Sequence, residues 1–218
     1  MSGAALEAAV DRAVATLPER ARPMAESARE GLAGFLAFLL ERNAAMNLVS
    51  ARAAEPEALA GHLGDALAGL PLLPPSRPAR IRLLDLGSGG GFPALPILLL
   101  RRDLAGTLVE STRKKCDFLA AAAERLALTA EVVNARFPDS FPMAKSGLFD
   151  VLTTRAVGSA GKLVRAARPV LAPGARALLW TTEPLVRNAV RDSGAKSAAF
   201  HRDPGSERRG ILALERFT

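Results

Sequence analysis

The residues best suited to binding chemistry form one stretch, Asp85-Leu-Gly-Ser-Gly-Gly-Gly-Phe92-Pro93. The apolar run from Ile81 to Leu86 predicts a buried strand, and the glycines after it predict a tight turn. Pro93 suits the first residue of a helix. Glycines let a ligand approach the backbone without Cβ clashes, and a helix N-terminus offers unpaired N–H groups. The stretch therefore predicts a nucleotide-type pocket between a strand and a helix.

The glycine spacing separates three classes of ligand. A triphosphate-binding loop requires Gly-Lys-Ser/Thr, and no lysine follows Gly91. A nicotinamide fingerprint, G-x-G-x-x-G, requires a glycine where Phe92 stands if it begins at Gly87, and one at position 94, an alanine, if it begins at Gly89. The remaining pattern is Asp-x-Gly-x-Gly-x-Gly, from Asp85 through Gly91.

That pattern is followed by an acidic residue, Glu110, at the end of the next predicted strand. The combination resembles the S-adenosylmethionine loop of class I methyltransferases. A carboxylate at this position could accept hydrogen bonds from both hydroxyls of a ribose. The resemblance favours S-adenosylmethionine over the other two ligand classes.

The net charge of the chain is unevenly distributed. The 218 residues carry a formal charge of +7, with 17 basic and 17 acidic residues in 1–150 but 12 basic and 5 acidic residues in 151–218. A one-sided basic surface suits a nucleic-acid partner, because Lys and Arg displace counterions from phosphate. Solvated helix faces and a general bias towards arginine would give the same count.

Cysteine and histidine usage limits the possible chemistry. A single cysteine, Cys116, excludes an intramolecular disulfide and a cysteine zinc cluster, and we interpret it as a core residue. The two histidines, His62 and His201, do not have a ligand-like spacing, so we predict no metal. The sequence has no signal-peptide pattern and no apolar run of membrane-spanning length, which predicts a cytoplasmic protein without a membrane partner.

The apolar periodicity predicts a helical lobe followed by an α/β region. Two or three helices are expected between Leu6 and about Leu70, and four prolines mark 71–78 as a connector. Pro173-Gly174 is expected to form a turn. The predicted strands are 81–86, 106–110, 130–134, 149–154, 175–181, 197–202 and 210–217, and the helices are 93–101, 113–126, 159–171 and 184–193. We therefore predict an α/β fold with a mostly parallel Rossmann-like sheet, helices on both faces and two domains, 1–78 and 79–218.

Further motifs are similar to those of the bacterial small-subunit ribosomal RNA guanine-N7 methyltransferases, the family also called glucose-inhibited division protein B. These motifs are Asn47-Leu-Val-Ser50, His62 with Asp65, the glycine stretch with its two prolines Pro93 and Pro96, Glu110-Ser-Thr-Arg-Lys-Lys115, and Thr154-Arg-Ala156. The resemblance runs from about Arg42 to Phe217. It implies a class I methyltransferase, S-adenosylmethionine as cofactor, and methyl transfer to N7 of a guanine in ribosomal RNA. The implied partner is ribosomal RNA or the small ribosomal subunit, and we expect a monomer.

The resemblance also implies roles for individual residues. The implied cofactor-binding residues are Asp85, Gly87, Ser88, Gly89, Gly91, Phe92, Glu110, Ala135, Arg136, Phe137 and Arg155. The implied RNA-binding residues are Asn47, Arg52, Lys114 and Lys115, of which the two lysines are equally plausible as plain helix-surface residues. For Arg155 we expect a catalytic role in orienting the guanine through O6, or alternatively a salt bridge to the cofactor carboxylate. From spacing alone, His62 and Asp65 are an ordinary half-buried histidine and a surface acid.

The chain departs from the family pattern at Arg42, Met46 and Thr181, on the substrate side of the expected pocket. Trp180 is either a stacking platform for a base or a core residue. These departures keep other hypotheses open. One is a binding protein that retains the cofactor and RNA but has lost catalysis. Others are a methyltransferase acting on another RNA or a small molecule and, last, a nicotinamide oxidoreductase.

Overall fold

The computed structural model describes residues 2–155, 158–203 and 206–217. The helices are α1 Gly3–Ala15, α2 Arg22–Ser27, α3 Arg29–Met46, α4 Pro56–Leu67, α5 Ala94–Leu100, α6 Arg113–Arg125, α7 Met143–Ser146, α8 Ala160–Ala167 and α9 Glu183–Ser193. The strands are β1 Ile81–Leu86, β2 Leu104–Glu110, β3 Ala130–Asn134, β4 Phe149–Arg155, β5 Leu171–Thr182, β6 Ala195–Arg202 and β7 Arg209–Phe217.

The strands form one sheet in the order β3-β2-β1-β4-β5-β7-β6. The first five strands are parallel, and β7 is antiparallel to both of its neighbours, β5 and β6. The mostly parallel sheet predicted from the sequence is therefore confirmed. The chain leaves β1 towards β2 on one side, while β4 lies on the other side, so a crevice forms at the carboxyl ends of β1 and β4.

Alternate residues of the strands face two separate apolar clusters. Leu83 and Leu108 belong to a cluster with α1, α3, α4, α5 and α6, whereas Leu84 and Val109 belong to a cluster with α8 and α9. This alternation is the period-two pattern of a strand buried on both faces. The N-terminal helices thus pack against one face of the sheet, and the division of the chain into domains at residue 78 stays a prediction.

Several boundaries differ from those predicted, and proline explains most of them. The N-terminal lobe contains four α-helices rather than two or three: α1 ends at Ala15, shortly before Pro18, and Pro23 lies in the first turn of α2, where a missing N–H is tolerated. The helix predicted for 159–171 ends at Ala167, before a short 3-10 turn that contains Pro169. Pro93 caps α5 instead of forming its first residue.

Pro173-Gly174 was predicted to form a turn, but both residues lie within β5. Gly174 has a φ of 79°, and the register of β5 against β4 shifts between Phe149 and Val151. At such a bulge the extra residues of β5 are unpaired, while the strand on either side of them stays paired with β4. Strand β5 consequently begins at Leu171, earlier than expected.

None of the helices in the described ranges is long and apolar enough to cross a membrane.

Candidate cofactor and substrate site

The loop after β1 adopts a conformation that needs its glycines. We call residues 87–92 the glycine loop. Gly87, Gly89 and Gly91 have φ values of 76°, 52° and 89°, in the left-handed region that other residues avoid. A Cβ on Gly91 would also lie 2.5 Å from Cδ1 of Leu95. The N–H groups of Gly87 and Ser88 both donate to the carbonyl oxygen of Val109, at 2.9 and 3.1 Å, which fixes the loop to β2.

The buried carboxylate of Glu110 holds the other end of the glycine loop. Its Oε2 accepts a hydrogen bond from the N–H of Gly89 at 3.0 Å, and its Oε1 accepts one from the N–H of Thr112 at 2.8 Å. An ionised carboxylate has about four acceptor sites, so this arrangement leaves capacity for further donors such as ribose hydroxyls. The structure brings Glu110 and the glycine loop into direct contact, and the ribose role stays a prediction.

The segment after β3 lies beside Glu110. The N–H of Ala135 donates to the carbonyl oxygen of Glu110 at 3.0 Å, and Nδ2 of Asn134 donates to the same oxygen at 3.0 Å. Ala135 is buried, Arg136 is exposed, and the half-buried ring of Phe137 packs against Phe141. The turn at 135–137, which the resemblance implies to be cofactor-binding, is therefore next to the residue expected to meet the ribose.

Asp85 supplies an unsatisfied acceptor at the start of the glycine loop. Its Oδ1 accepts a hydrogen bond from Oγ1 of Thr153 at 2.6 Å, while its buried Oδ2 has no hydrogen-bond partner among the described residues. Burial raises the pKa of Asp85 to about 6, although the bond from Thr153 opposes that rise. A buried carboxylate oxygen without a donor fits a cofactor that brings an ammonium group, as S-adenosylmethionine does. Ser88 is buried, and its hydroxyl donates to the main-chain oxygen of Asp85.

Arg155 ends β4 on the other side of the crevice. Its guanidinium lies over the ring of Phe92, 5.1 Å from the centroid, which is a cation–π contact. Burial lowers the pKa of Arg155, and the carboxylates of Asp65 and Asp85 oppose that effect. No carboxylate of the described residues forms an ion pair with Arg155. The side chain is thus a half-buried cation with hydrogen-bond donors to spare.

A cavity of about 930 Å³ adjoins the glycine loop at Arg155. It lies over the ends of β4, β5 and β6 and the start of β7, and α1 and α4 form its other wall. Neither the glycine loop nor Glu110 lines it. Arg155 therefore contacts Phe92 of the glycine loop and also lines a cavity that the loop itself does not line.

Trp180 lines this cavity with only a small part of its surface. It is 9% exposed and belongs to the core, and its Nε1 donates to the main-chain oxygen of Asp65 at 2.6 Å. A Cβ on Gly69 would lie 2.6 Å from Cζ2 of the indole. The interpretation of Trp180 as a core residue is confirmed.

His62 and Asp65 lie at the site, although their spacing in the sequence predicted only a half-buried histidine and a surface acid. The His62 ring is 5.9 Å from that of Phe92, and burial, followed by Arg155 and Arg209, lowers its pKa. Asp65 lines the cavity, and burial raises its pKa, an effect that Arg209 opposes. Their spacing of three residues places both on one face of α4, which is the signal that the sequence did offer.

Arg209 and Asp203 also lie at the cavity, although their positions in the sequence do not indicate it. Nη1 of Arg209 lies 3.5 Å from Oδ2 of Asp65, and its Nη2 lies 3.5 Å from Oδ2 of Asp203. They reach the cavity because β7 is inserted between β5 and β6, an order that residue spacing does not reveal.

The predicted RNA-binding residues lie on two segments, the one after α3 and the start of α6. Asn47 and Arg52 are exposed, and a Cβ on Gly90 would lie 3.4 Å from the oxygen of Leu48, so their segment contacts the loop. On α6, Lys114 is exposed and Lys115 is half-buried. The structure does not test their role in binding.

The positions that depart from the family pattern have ordinary surroundings. Arg42 lies over the ring of Phe38, Met46 packs against the core, and Thr181 lines the cavity. Ala156 falls outside the described residues. Cys116 is buried, as predicted, and its thiol donates to the main-chain oxygen of Glu110. Within the described ranges, no group of three or more His, Cys, Asp or Glu side chains could hold a metal ion.

Among solved structures, the chain is similar to a precorrin-6Y C5,15-methyltransferase from Geobacter metallireducens. The TM-score is 0.55 at 15% identity, over 79% of this chain and 92% of that one. This similarity concerns the fold alone, and it confirms the class I methyltransferase architecture predicted from the sequence.

Sequence comparisons identify a narrower group. The chain is 42% identical over 150 residues to the ribosomal RNA small subunit methyltransferase G of Sorangium cellulosum, covering 68% of this chain and 62% of that protein. It is 38% identical over 144 residues to the protein of the same name from Acidiphilium cryptum, covering 66% and 63%. The matches thus span less than two thirds of these relatives' length. A family model described as rRNA small subunit methyltransferase G matches residues 28–193. The chain therefore belongs to the rRNA small subunit methyltransferase G family.

Proposed function

We propose that this protein transfers the methyl group of S-adenosylmethionine to N7 of a guanine in small-subunit ribosomal RNA. The observation that carries the proposal is the contact between the glycine loop and Glu110, with the unpaired Oδ2 of Asp85 beside it. The loop approaches a ligand through backbone, Glu110 has free acceptor sites, and Asp85 lacks a cationic donor. These three properties match the ribose and ammonium groups of S-adenosylmethionine.

The bound cofactor would supply a methyl group on a positively charged sulfur. The residues proposed to hold it are Asp85, Gly87, Ser88, Gly89, Gly91, Phe92, Glu110, Ala135, Arg136 and Phe137. Glu110 accepts from the ribose, and Asp85 accepts from the ammonium group. The turn at 135–137 would border the adenine, because it follows the strand paired with β2.

The proposed reaction needs positioning more than proton transfer. Guanine N7 carries a free lone pair, so it attacks the methyl group without losing a proton. Holding two reactants in line can contribute roughly 7–11 kcal/mol to lowering a barrier. Arg155 suits this task because it lies between the glycine loop and the adjoining cavity and has unused donors for guanine O6. A salt bridge from Arg155 to the cofactor carboxylate is the alternative role.

Support for an RNA substrate comes from the names of the relatives and from the charge distribution. Two of the relatives are called ribosomal RNA small subunit methyltransferases. The proposed RNA contacts are Asn47, Arg52, Lys114 and Lys115, and the net charge of +7 lies entirely in residues 151–218. We further infer a monomer that acts in the cytoplasm, where bacterial ribosomal subunits are assembled.

The proposal is tested by incubating the protein with S-adenosylmethionine labelled in its methyl group and either small ribosomal subunits or naked ribosomal RNA. The subunits and RNA should come from a bacterium whose own enzyme has been removed, so that the target atom is unmethylated. We expect label in the RNA. Binding of the cofactor without label in any RNA would instead favour a protein that has lost catalysis. Labelling of a small molecule without salt-dependent affinity for RNA would favour a different substrate.

A further inference from the structure

The cavity beside Arg155 contains a carboxylate that the proposed cofactor does not use. The side chain of Asp65 is 18% exposed and lines the cavity from α4, the helix that also carries His62. Its nearest cation, Arg209, is 3.5 Å away and its side chain is 54% exposed, so the ion pair is long and open to solvent. Asp203 faces the same carboxylate, and burial together with Asp203 raises the pKa of Asp65, whereas Arg209 and Arg155 lower it. Ionised by these two arginines, the carboxylate has acceptor sites on its cavity side for a ligand.

We propose that Asp65 determines the choice of base by accepting hydrogen bonds from N1–H and the N2 amino group of the target guanine. This inference rests on the proposed function, since it assumes that N7 of the base faces the cofactor. With N7 towards the glycine loop, the N1–H and N2 donors point away from it, into the cavity. Arg155, which contacts Phe92 and lines the cavity, is then placed to donate to O6, between the two edges.

The chemistry of a carboxylate makes it selective at this edge. An ionised carboxylate only accepts hydrogen bonds, and guanine presents two adjacent donors, N1–H and N2–H. Adenine presents an acceptor, N1, at the corresponding position, and inosine lacks the N2 amino group. When a ligand lacks the donor that a buried acceptor of the site requires, that acceptor stays unpaired and the ligand binds more weakly. Asp65 therefore favours guanine over inosine and rejects adenine.

The dimensions and charges of the cavity agree with one nucleotide. Its volume of about 930 Å³ lies at the upper end of the range for small-molecule sites, roughly 300–1,000 Å³. Asp65 and Arg155 are close enough that each shifts the pKa of the other towards the charged form. A guanine between them would meet an acceptor at its N1–N2 edge and a donor at O6. Arg209 lies 3.5 Å from the same carboxylate, and its side chain is 54% exposed. It is therefore placed to bind the phosphate of the nucleotide where the cavity opens to solvent.

The test measures the affinity of GMP, IMP and AMP by calorimetry, with and without S-adenosylhomocysteine. The chain has one tryptophan, Trp180, and no tyrosine, so fluorescence excited at the indole reports on the cavity itself. We expect GMP to bind the native protein about tenfold or more tightly than IMP, as hydrogen bonds to charged groups imply, and to change the Trp180 emission. In Asp65→Asn this preference should fall to within about threefold, because the amide presents a donor to N1–H or N2–H.

Asp150→Asn is the matched control. The side chain of Asp150 is 20% exposed and also pairs with an arginine, Arg77, at 2.7 Å, but Asp150 does not line the cavity. Its substitution should leave the GMP preference unchanged. Circular dichroism and binding of S-adenosylhomocysteine show whether each variant is folded.

Three results would overturn the inference: equal binding of GMP and IMP to the native protein, no binding of either, or an undiminished preference in folded Asp65→Asn. The proposed function fails independently, if the native protein transfers no label from S-adenosylmethionine to RNA.

Discussion

The N–H of Gly89 donates to Oε2 of Glu110 at 3.0 Å, so the side chain that ends β2 holds the loop that follows β1. The two strands are parallel neighbours in register, with Leu86 opposite Val109. Loop conformation and the proposed ribose contact therefore depend on the same carboxylate. A change at this residue should affect the shape of the loop and the affinity for the cofactor together.

Glu110→Gln is expected to weaken binding of S-adenosylmethionine by about tenfold or more, because charge-assisted hydrogen bonds contribute roughly 1.5–3 kcal/mol. The amide nitrogen would face an N–H of Gly89 or Thr112, or a ribose hydroxyl, in place of an acceptor. Isothermal titration calorimetry measures the change. Glu124→Gln, on the exposed surface of α6, is the matched control and should bind normally. Equal affinities for the Glu110 variant and the native protein would contradict the role.

Asp85→Asn is expected to stabilise the folded protein near neutral pH. Burial raises the pKa of Asp85 from 3.8 to about 6, so its stabilising contribution is present below pH 3.8 and is lost as the pH rises through 6. An asparagine carries no charge at any pH, so the free energy of unfolding of the variant should exceed that of the native protein by about 3 kcal/mol above pH 7. The difference should shrink as the pH falls towards about 4. Urea denaturation at several pH values measures it, and a constant difference would contradict the assignment.

The architecture could be predicted from the sequence more completely than the site. Alternation of strands and helices after Ile81 predicted the parallel sheet, because a helix between two strands allows the second strand to run parallel to the first. The glycine loop and Glu110 were both expected to bind the same cofactor, through the resemblance to class I methyltransferases, and the structure places them in contact. By contrast, the cavity could not be predicted, because Asp65 and Arg209 are 144 residues apart in the chain. Only the insertion of β7 beside β5 brings them together. The four-helix lobe was missed because short helices such as α2 carry too little periodicity.

Arg155→Ala is expected to slow methyl transfer to ribosomal RNA by roughly 100-fold at saturating cofactor, a typical cost of losing one oriented donor. Affinity for S-adenosylmethionine should change by less than about threefold. Arg155→Lys should recover little activity, because an ammonium group lacks the planar fork of guanidinium. Steady-state rates and calorimetry check both points. Unchanged turnover would remove the catalytic role, and a large loss of cofactor affinity would assign Arg155 to the cofactor carboxylate.

Replacing Lys114 and Lys115 together by alanine is expected to weaken RNA binding without affecting the cofactor. Each lost phosphate contact should reduce the slope of log affinity against log salt concentration by about one. Filter binding at several salt concentrations measures the slope. The double variant Lys162→Ala with Lys196→Ala removes the same charge from the basic C-terminal third. If that variant alone changes the slope, RNA binds across the C-terminal third instead.

The most direct test of the proposed function is to identify the atom that receives the methyl group. Unmethylated small subunits or ribosomal RNA should be incubated with the protein and labelled S-adenosylmethionine, digested to nucleosides and analysed by mass spectrometry. The proposal predicts label in 7-methylguanosine, at one position of the small-subunit RNA. Label in another nucleoside, or none in RNA from a protein that binds the cofactor, would contradict it.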